Sequence, residues 1–451
     1  MENLSRQREI IAFLCEQFLQ SNKIDPETYE KYDVKRGLRN ADGTGVMAGL
    51  TSICDVVGYE MVDGVKTATH GDLIYRGYSI MDILENCCEE ERFGFEEVSW
   101  LLLFGSLPNA EQLKIFSELL AACRTLPEGF VEDMLLKSPT PNIMNALSRS
   151  IIALYSYDDN PESNDLENLM RQSIEIIART PTIVTNAYQV KRRHFDRKSM
   201  YMHVPKPYQA SAETILRTVR SNKQFTPEEA RLLDLCLILH AEHGAGNNST
   251  FTTRVVSSAM TDTYSALSAA VGSLKGFRHG GANIKVNEMI EHIKLGVKNW
   301  SDDDEVADFL RKILRREAGD GSGLIYGIGH AVYTKSDPRA IELQKGAEQV
   351  AREHGMMDEF LLIQAVDRLA PVVFEKEKGG KDVCANVDLY SGFVYKSLGI
   401  PPELYTPLFA IARMPGWCAH RIEEATTGGR IIRPAYRFLG GHETYVPLDR
   451  R

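Results

Sequence analysis

The chain has 451 residues, and 52 Lys and Arg against 62 Asp and Glu give a net charge of −10 with histidine neutral. An acidic chain offers no default footprint for nucleic acid or an anionic membrane, so an anionic ligand has to be drawn in by a local cluster of Arg, Lys or His. With 43% hydrophobic and 25% charged residues the composition is globular, and the length suggests two or three domains.

The N-terminal stretch MENLSRQREIIAFLCEQFLQSNKID reads as an amphipathic helix that mixes acids with bases, unlike a secretory signal or a transit peptide. The longest run without Asp, Glu, Lys or Arg is the 14 residues 321–334, short of the roughly 18 apolar residues that cross a bilayer. Eight cysteines with no CxxC pair predict reduced, mostly buried thiols and a cytoplasmic setting. From Ser52 to Tyr75, alternation around Asp63-Gly64 predicts a β-hairpin. The basic segment KRRHFDRK (191–198) reads as a solvated loop, with a phosphate-binding patch as the sharper alternative.

Helical signals dominate the rest. Thr226 as N-cap, Pro227 as first residue, Glu229 as capping-box partner and Gly244 as exit predict a helix of about five turns. Similar signals predict helices over 302–318, over 338–354 with Asp337 ahead of it, and over 358–374. The small-residue stretch TYSALSAAVGSL (263–274) predicts a helix buried against another, within the chain or across a subunit contact. The fold class is therefore mainly α. With no repeat and no long linker, a second domain is expected as a lobe or insertion.

Four histidines lie in glycine-rich, charge-poor segments: His240 and His243 in HAEHGAGNNS, His279 in GFRHGGAN, and His330 in YGIGHAVYTKSDPRA. Glycine beside histidine permits turns that aim an imidazole and backbone N–H groups into a cleft. In ANVDLYSGF, Asp388 reads either as a helix cap or as a carboxylate base in a partly desolvated pocket. Arg339, Arg413 and Arg433 supply planar donors suited to carboxylates, and from Arg413 onward seven Arg face four acids. No metal-ligand spacing, GxGxxG, GxxxxGK[ST] or GxSxG occurs, and Cys418 in GWCAH reads as a buried thiol. Neutral histidine, one Asp and several Arg fit carbon–carbon bond chemistry at a carbonyl of a polyanionic acid.

At these residues the sequence closely resembles the citrate synthase family, of the bacterial si-type. The segments HAEHGAGNNSTFTTRVVSSAMTDTYSALSAAVGSLKGFRHGGAN, GIGHAVYTKSDPRA, NVDLYSGFVYKSLGIP and ARMPGW carry the resemblance, with LIYRGYSI and FEEVSWLLLFGSLP nearer the N-terminus. It covers nearly the whole chain from about Lys35. The resemblance implies the citrate synthase fold: a large helical domain (1–278 and 393–451, with the hairpin) and a smaller helical domain (279–392) that closes over an interdomain active site.

It also implies condensation of acetyl-CoA with oxaloacetate and water to give citrate and CoA. Asp388 would take a proton from the acetyl methyl, His279 would hydrogen-bond the thioester oxygen, and His330 would protonate the oxaloacetate ketone oxygen. His243, Arg339, Arg413 and Arg433 would bind oxaloacetate, Arg433 from the other subunit of a homodimer. Leu324, Ile325, Gly327, Gly329 and Lys381 match CoA-binding positions. Neither metal nor cofactor is implied, acetyl-CoA being a substrate. The resemblance also leaves open a 2-methylcitrate synthase that uses propionyl-CoA and a non-catalytic CoA-binding relative. EKEKGGKDVCAN and Ala435 in RPAYRF depart from the commoner family pattern.

Overall fold

The structure, a computed structural model, describes residues 2–21, 23–40, 42–63, 65–379 and 382–450. Helices dominate it, and among the described residues sheet is confined to one antiparallel three-stranded ribbon of β1 (Cys54–Val62), β2 (Val65–Tyr75) and β3 (Tyr78–Ser79). The hairpin forms where the alternation predicts it, pairing Cys54 with Tyr75 at one end and Val62 with Val65 at the other. Asp63 takes φ 51° at the turn, a conformation that Asp tolerates better than most residues; Gly64 lies outside the described residues. The two-residue β3 carries no sequence signal of its own.

The ribbon meets the segment after His330. Gly71 N–H donates to Ser336 Oγ at 3.1 Å and the Tyr333 hydroxyl donates to the Asp72 carbonyl at 3.2 Å. A side chain at position 71 would overlap the Ser336 carbonyl oxygen, so the contact is backbone against backbone and only glycine fits.

Helix starts follow their caps. Glu229 N–H donates to Thr226 Oγ1 at 3.2 Å while Glu229 Oε2 accepts from Thr226 N–H at 2.9 Å, the reciprocal capping box. That helix runs Pro227–His240. It is shorter than predicted, because Gly244 (φ +84°) serves the turn beyond the helix rather than the helix end. The helix expected over 302–318 spans Asp303–Leu314, capped by Asp302. Pro338–Glu353 follows its Asp337 cap as predicted, and Met357–Lys378 extends past both predicted ends.

The helix Thr263–Leu274 packs within the chain against Ile143–Leu154 and Asn248–Ser257, and the Ser148 and Ser268 hydroxyls are 2.9 Å apart across one contact. The basic segment is not a solvated loop at its start. It forms the last turn of the helix Leu166–His194, where Lys191 Nζ pairs with Asp196 and Glu403 at 2.8 Å. Cations there offset the partial negative charge of the terminal carbonyls.

The core of residues 50–432 is built around the helix Tyr405–Thr426, which contacts Leu166–His194, Pro227–His240, Asn248–Ser257 and Thr263–Leu274. Its inward face carries Trp417 and Arg413, both fully buried. Within residues 279–392, Asp303–Leu314 packs on Met357–Lys378, while Ala282–Gly296 and Pro338–Glu353 both pack on Val387–Ser397. Residues 1–49 and 433–451 form a second compact unit. It holds the predicted N-terminal helix, Glu2–Ser21, whose Ile10, Ile11, Leu14 and Phe18 are exposed, and Arg437 lies over the Tyr32 ring at 5.1 Å. Among the described residues no helix is long and apolar enough to cross a membrane.

Candidate active site

The helix Pro227–His240 ends by delivering two histidines. His240 Nδ1 sits 2.7 Å from the Cys236 carbonyl, and burial lowers the His240 pKa to about 3, so the ring is neutral. His243 is also buried, and its Nε2 has no hydrogen-bond partner among the described residues. Burial first, then the Arg339 and Arg413 charges and His330, push its pKa well below the usual histidine range. Glu242 accepts the His243 N–H at 2.9 Å. A side chain on Gly416 would overlap Glu242 Oε2 and the Ala241 carbonyl, so the Pro-Gly-Trp step of the central helix lets this turn approach closely.

The His330 turn stacks on the first. The His330 and His243 rings are 5.0 Å apart and near perpendicular, while Tyr333 stacks on His330 at 4.7 Å. His330 Nδ1 accepts the backbone N–H groups of Val332 and Tyr333, each at 3.1 Å. An imidazole that accepts at Nδ1 carries its neutral-form proton on Nε2, as a hydrogen-bond donor.

Asp388 opens the helix Val387–Ser397 but does not cap it. Asn386 is the cap, its Oδ1 accepting the Asp388 N–H at 3.0 Å, so the Asp388 carboxylate is not spent on the helix end. Asn386 also ties the Asp388 segment to the His330 turn. Its N–H donates to the Gly327 carbonyl and its Nδ2 to the Gly329 carbonyl, both at 2.8 Å, while Gly329 N–H donates to Cys384 at 2.7 Å. Burial raises the Asp388 pKa to about 6, with Arg339 opposing and Asp337 reinforcing the shift.

His279 is half-buried, with Nε2 2.9 Å from Ser249 Oγ. Ser249 Oγ accepts the Trp417 indole N–H at 3.2 Å and donates to Asn247 Oδ1 at 3.0 Å. Burial, reinforced by Arg413, lowers the His279 pKa to about 4. Arg413 Nε donates to the His240 carbonyl at 2.6 Å, its guanidinium carbon lies 4.8 Å from the centre of the Phe409 ring, and its buried Nη1 and Nη2 have no hydrogen-bond partner among the described residues. Arg339 is buried and bound through Nε and Nη2 to Asp337, at 3.0 and 2.7 Å. Burial pulls its pKa down, but Asp337 more than offsets this.

The structure thus gathers His243, His330, Arg339 and Asp388, with Arg413 and His279 linked through shared charge effects and the Phe409 ring. Arg433 is exposed and lies in the terminal unit. Of the expected CoA positions, Leu324 is exposed and Ile325 buried, while Gly327 and Gly329 are engaged by residues 384–386; Lys381 lies outside the described residues. The Cys418 thiol is buried and its pKa is pushed up to about 12, unsuited to nucleophilic attack at neutral pH. Among the described residues no group of three or more His, Cys, Asp or Glu could hold a metal ion.

Sequence reasoning missed several supporting residues. Ser249 and Trp417 lie within the quoted motifs, but nothing in their spacing says that they meet at His279. Tyr333 and Asn386 stand two or three positions from residues already singled out, and an N-x-D step at a helix start was the available signal for Asn386.

The family model described as "Citrate synthase, C-terminal domain" matches residues 40–435. The citrate synthase of Synechocystis sp. is 34% identical over 86% of this chain and 90% of its own length. The 2-methylcitrate synthase 1 of Corynebacterium glutamicum is 31% identical over 93% and 98%. Among solved structures, citrate synthase of Thermoplasma acidophilum, in a ternary complex with carboxymethyl coenzyme A and oxaloacetate, aligns with TM-score 0.75 and 25% identity over 92% of this chain and 99% of its own. The Thermotoga maritima citrate synthase gives TM-score 0.73 and 28% identity over 93% and 99%. A family match across most of the chain, with the two histidine turns and the Asp388 helix inside it, means that the chain belongs to the citrate synthase family.

Proposed function

We propose that the protein condenses acetyl-CoA with oxaloacetate and water to give citrate and CoA. The observation that carries this reading is the bonding of the His330 turn to the Asp388 segment through Asn386, which fixes a neutral hydrogen-bond donor relative to a carboxylate of raised pKa.

An acetyl thioester C–H is a very weak acid, so its removal needs a base that is ionised but poorly solvated and a donor preorganised for the enolate oxygen. Asp388 is the base and takes the methyl proton. His279 is the donor: its ring N–H meets the thioester oxygen while the ring stays neutral. The enol carbon then attacks the ketone carbon of oxaloacetate, and His330 Nε2–H donates its proton to the ketone oxygen as it becomes a hydroxyl. Water finally cleaves the thioester, releasing citrate and CoA. Arg413 supports dicarboxylate binding, because its buried, unpartnered Nη1 and Nη2 are a costly arrangement unless an anion completes it. His243 and Arg339 complete the oxaloacetate set, and Arg433 reaches it from the second subunit of a homodimer.

In this reading residues 279–392 form the lobe that closes once oxaloacetate is bound, giving ordered addition and protecting the thioester from water. The exposed Leu324 and neighbouring Ile325 meet the CoA adenine, and Lys381 its phosphates. The enzyme works without metal or cofactor in the cytoplasm, a setting that suits its eight unpaired cysteines. A second reading, use of propionyl-CoA, is favoured by the similarity to 2-methylcitrate synthase, and one methylene is worth only about 1–3 kcal/mol in an apolar pocket. Purified protein that releases CoA thiol from propionyl-CoA but none from acetyl-CoA, each with oxaloacetate, would move the assignment to that reading. Protein that releases thiol from neither would leave the non-catalytic relative.

A further inference from the structure

The proposed oxaloacetate site contains a carboxylate that works against the charge of its ligand. Asp337 is almost wholly buried, and its carboxylate is hydrogen-bonded to Arg339. Oδ1 accepts the Arg339 backbone N–H and Nε–H, both at 3.0 Å, and Oδ2 accepts Nη2–H at 2.7 Å. An acid placed here weakens the pull of Arg339 on a dianion, so its presence needs another account. Capping the helix Pro338–Glu353 is part of one, but Asn, Ser or Thr would cap equally well. What a neutral cap cannot do is bind a guanidinium through two parallel charge-assisted hydrogen bonds.

A guanidinium has two edges that can bind a carboxylate side-on, Nε with Nη2 and Nη1 with Nη2. Asp337 occupies the first. Tyr333, whose ring centre lies 5.8 Å from the Arg339 guanidinium carbon and which also stacks on His330, limits rotation of the plane. We infer that Asp337 is a positioning residue that locks the Nε/Nη2 edge of Arg339, so that the Nη1/Nη2 edge is the one offered to a substrate carboxylate beside His330. This rests on the functional reading above. A flexible arginine would bind the dianion in several poses, whereas a locked one also fixes where the ketone sits.

Asp388 supplies an independent readout. Burial raises its pKa, Arg339 lowers it and Asp337 raises it, while Tyr395 on its own helix feels the Asp388 charge. Removing the Asp337 charge leaves Arg339 opposed by burial alone, so the Asp388 pKa should fall.

The test is Asp337→Asn, which keeps the cap and the shape, compared with wild type, Arg339→Gln and the double variant. The expected result is an oxaloacetate KM raised roughly 10–100-fold, the loss set by a charge-assisted hydrogen bond, with the acetyl-CoA KM close to wild type and a lower melting temperature, because buried Arg339 loses its counter-charge. The acid limb of kcat/KM should move to lower pH, and the double variant should be no worse than Arg339→Gln, because Asp337 acts through that arginine. An oxaloacetate KM within twofold of wild type, or losses that multiply in the double variant, would overturn the positioning role. Wild-type protein without oxaloacetate-dependent thiol release would instead sink the functional reading, so the two failures are distinguishable.

Discussion

At the scale of single residues the site is organised by what burial does to each side chain. Burial drives the histidine pKa values down and the Asp388 pKa up to about 6, which suits the proposed roles of neutral donors and a carboxylate base. A raised carboxylate pKa means that the active, ionised form is lost as pH falls through that value. The kcat/KM for acetyl-CoA at saturating oxaloacetate should therefore be level above about pH 7 and fall tenfold per unit below about pH 5; a profile flat to pH 4.5 would remove Asp388 as the titrating base. Arg413 gives a different kind of prediction. Replacement by Met trades a buried cation, whose Nη1 and Nη2 have no hydrogen-bond partner among the described residues, for an apolar side chain of similar length, so the unliganded protein should melt no lower than wild type. Oxaloacetate, which should raise the wild-type melting temperature by binding only the native state, should leave that of Arg413→Met unchanged; an equal ligand shift in both would take Arg413 out of the site. Residue types were legible in the sequence because Gly beside His and Asp between apolar neighbours are local signals. The hydrogen bonds around the imidazoles were not, since Ser249, beside His279, meets Trp417 from 168 residues away.

At the scale of elements, turns and caps place the chemistry. The capping box at Thr226 was readable because its three residues interact within one helical turn. The end of that helix was misplaced because Gly244 is also what the histidine turn needs, at φ +84°. Asn386 and Asp388 are both good caps by composition, and tertiary hydrogen bonds to Gly327 and Gly329 decide between them. The ribbon makes a testable contact of its own. Gly71→Ala forces a methyl group into the Ser336 carbonyl oxygen, and overpacking of this kind costs about 1–3 kcal/mol. The expected outcome is a lower melting temperature with a raised oxaloacetate KM, because Tyr333 and the His330 turn share that contact. Wild-type kinetics in Gly71→Ala would mean that the ribbon does not hold the turn.

At the scale of the whole molecule, the mainly helical class and the single hairpin were legible from periodicity, since each element repeats its own pattern. The separation of residues 1–49 and 433–451 from the rest was not, because a unit formed by two chain ends leaves no local signal. The net charge of −10 is a poor attractor for the two proposed anionic substrates, so recognition falls to buried Arg and His. Arg433 belongs to this scale, its proposed role being in the neighbouring subunit's site. Mixing the separately inactive Arg433→Ala and Arg339→Ala proteins, with exchange of subunits, should restore roughly a quarter of wild-type activity, because half the dimers are mixed and each mixed dimer has one intact site. No recovery after demonstrated exchange would place Arg433 outside the partner's site.

The most direct measurement of the central claim is CoA thiol release from acetyl-CoA, with and without oxaloacetate, by wild type and by Asp388→Asn. The account predicts oxaloacetate-dependent release by wild type and a drop of about 10²–10⁴-fold in the variant, the worth of a general base, with oxaloacetate binding retained. Full condensation activity in Asp388→Asn, or wild-type release that ignores oxaloacetate, would contradict it.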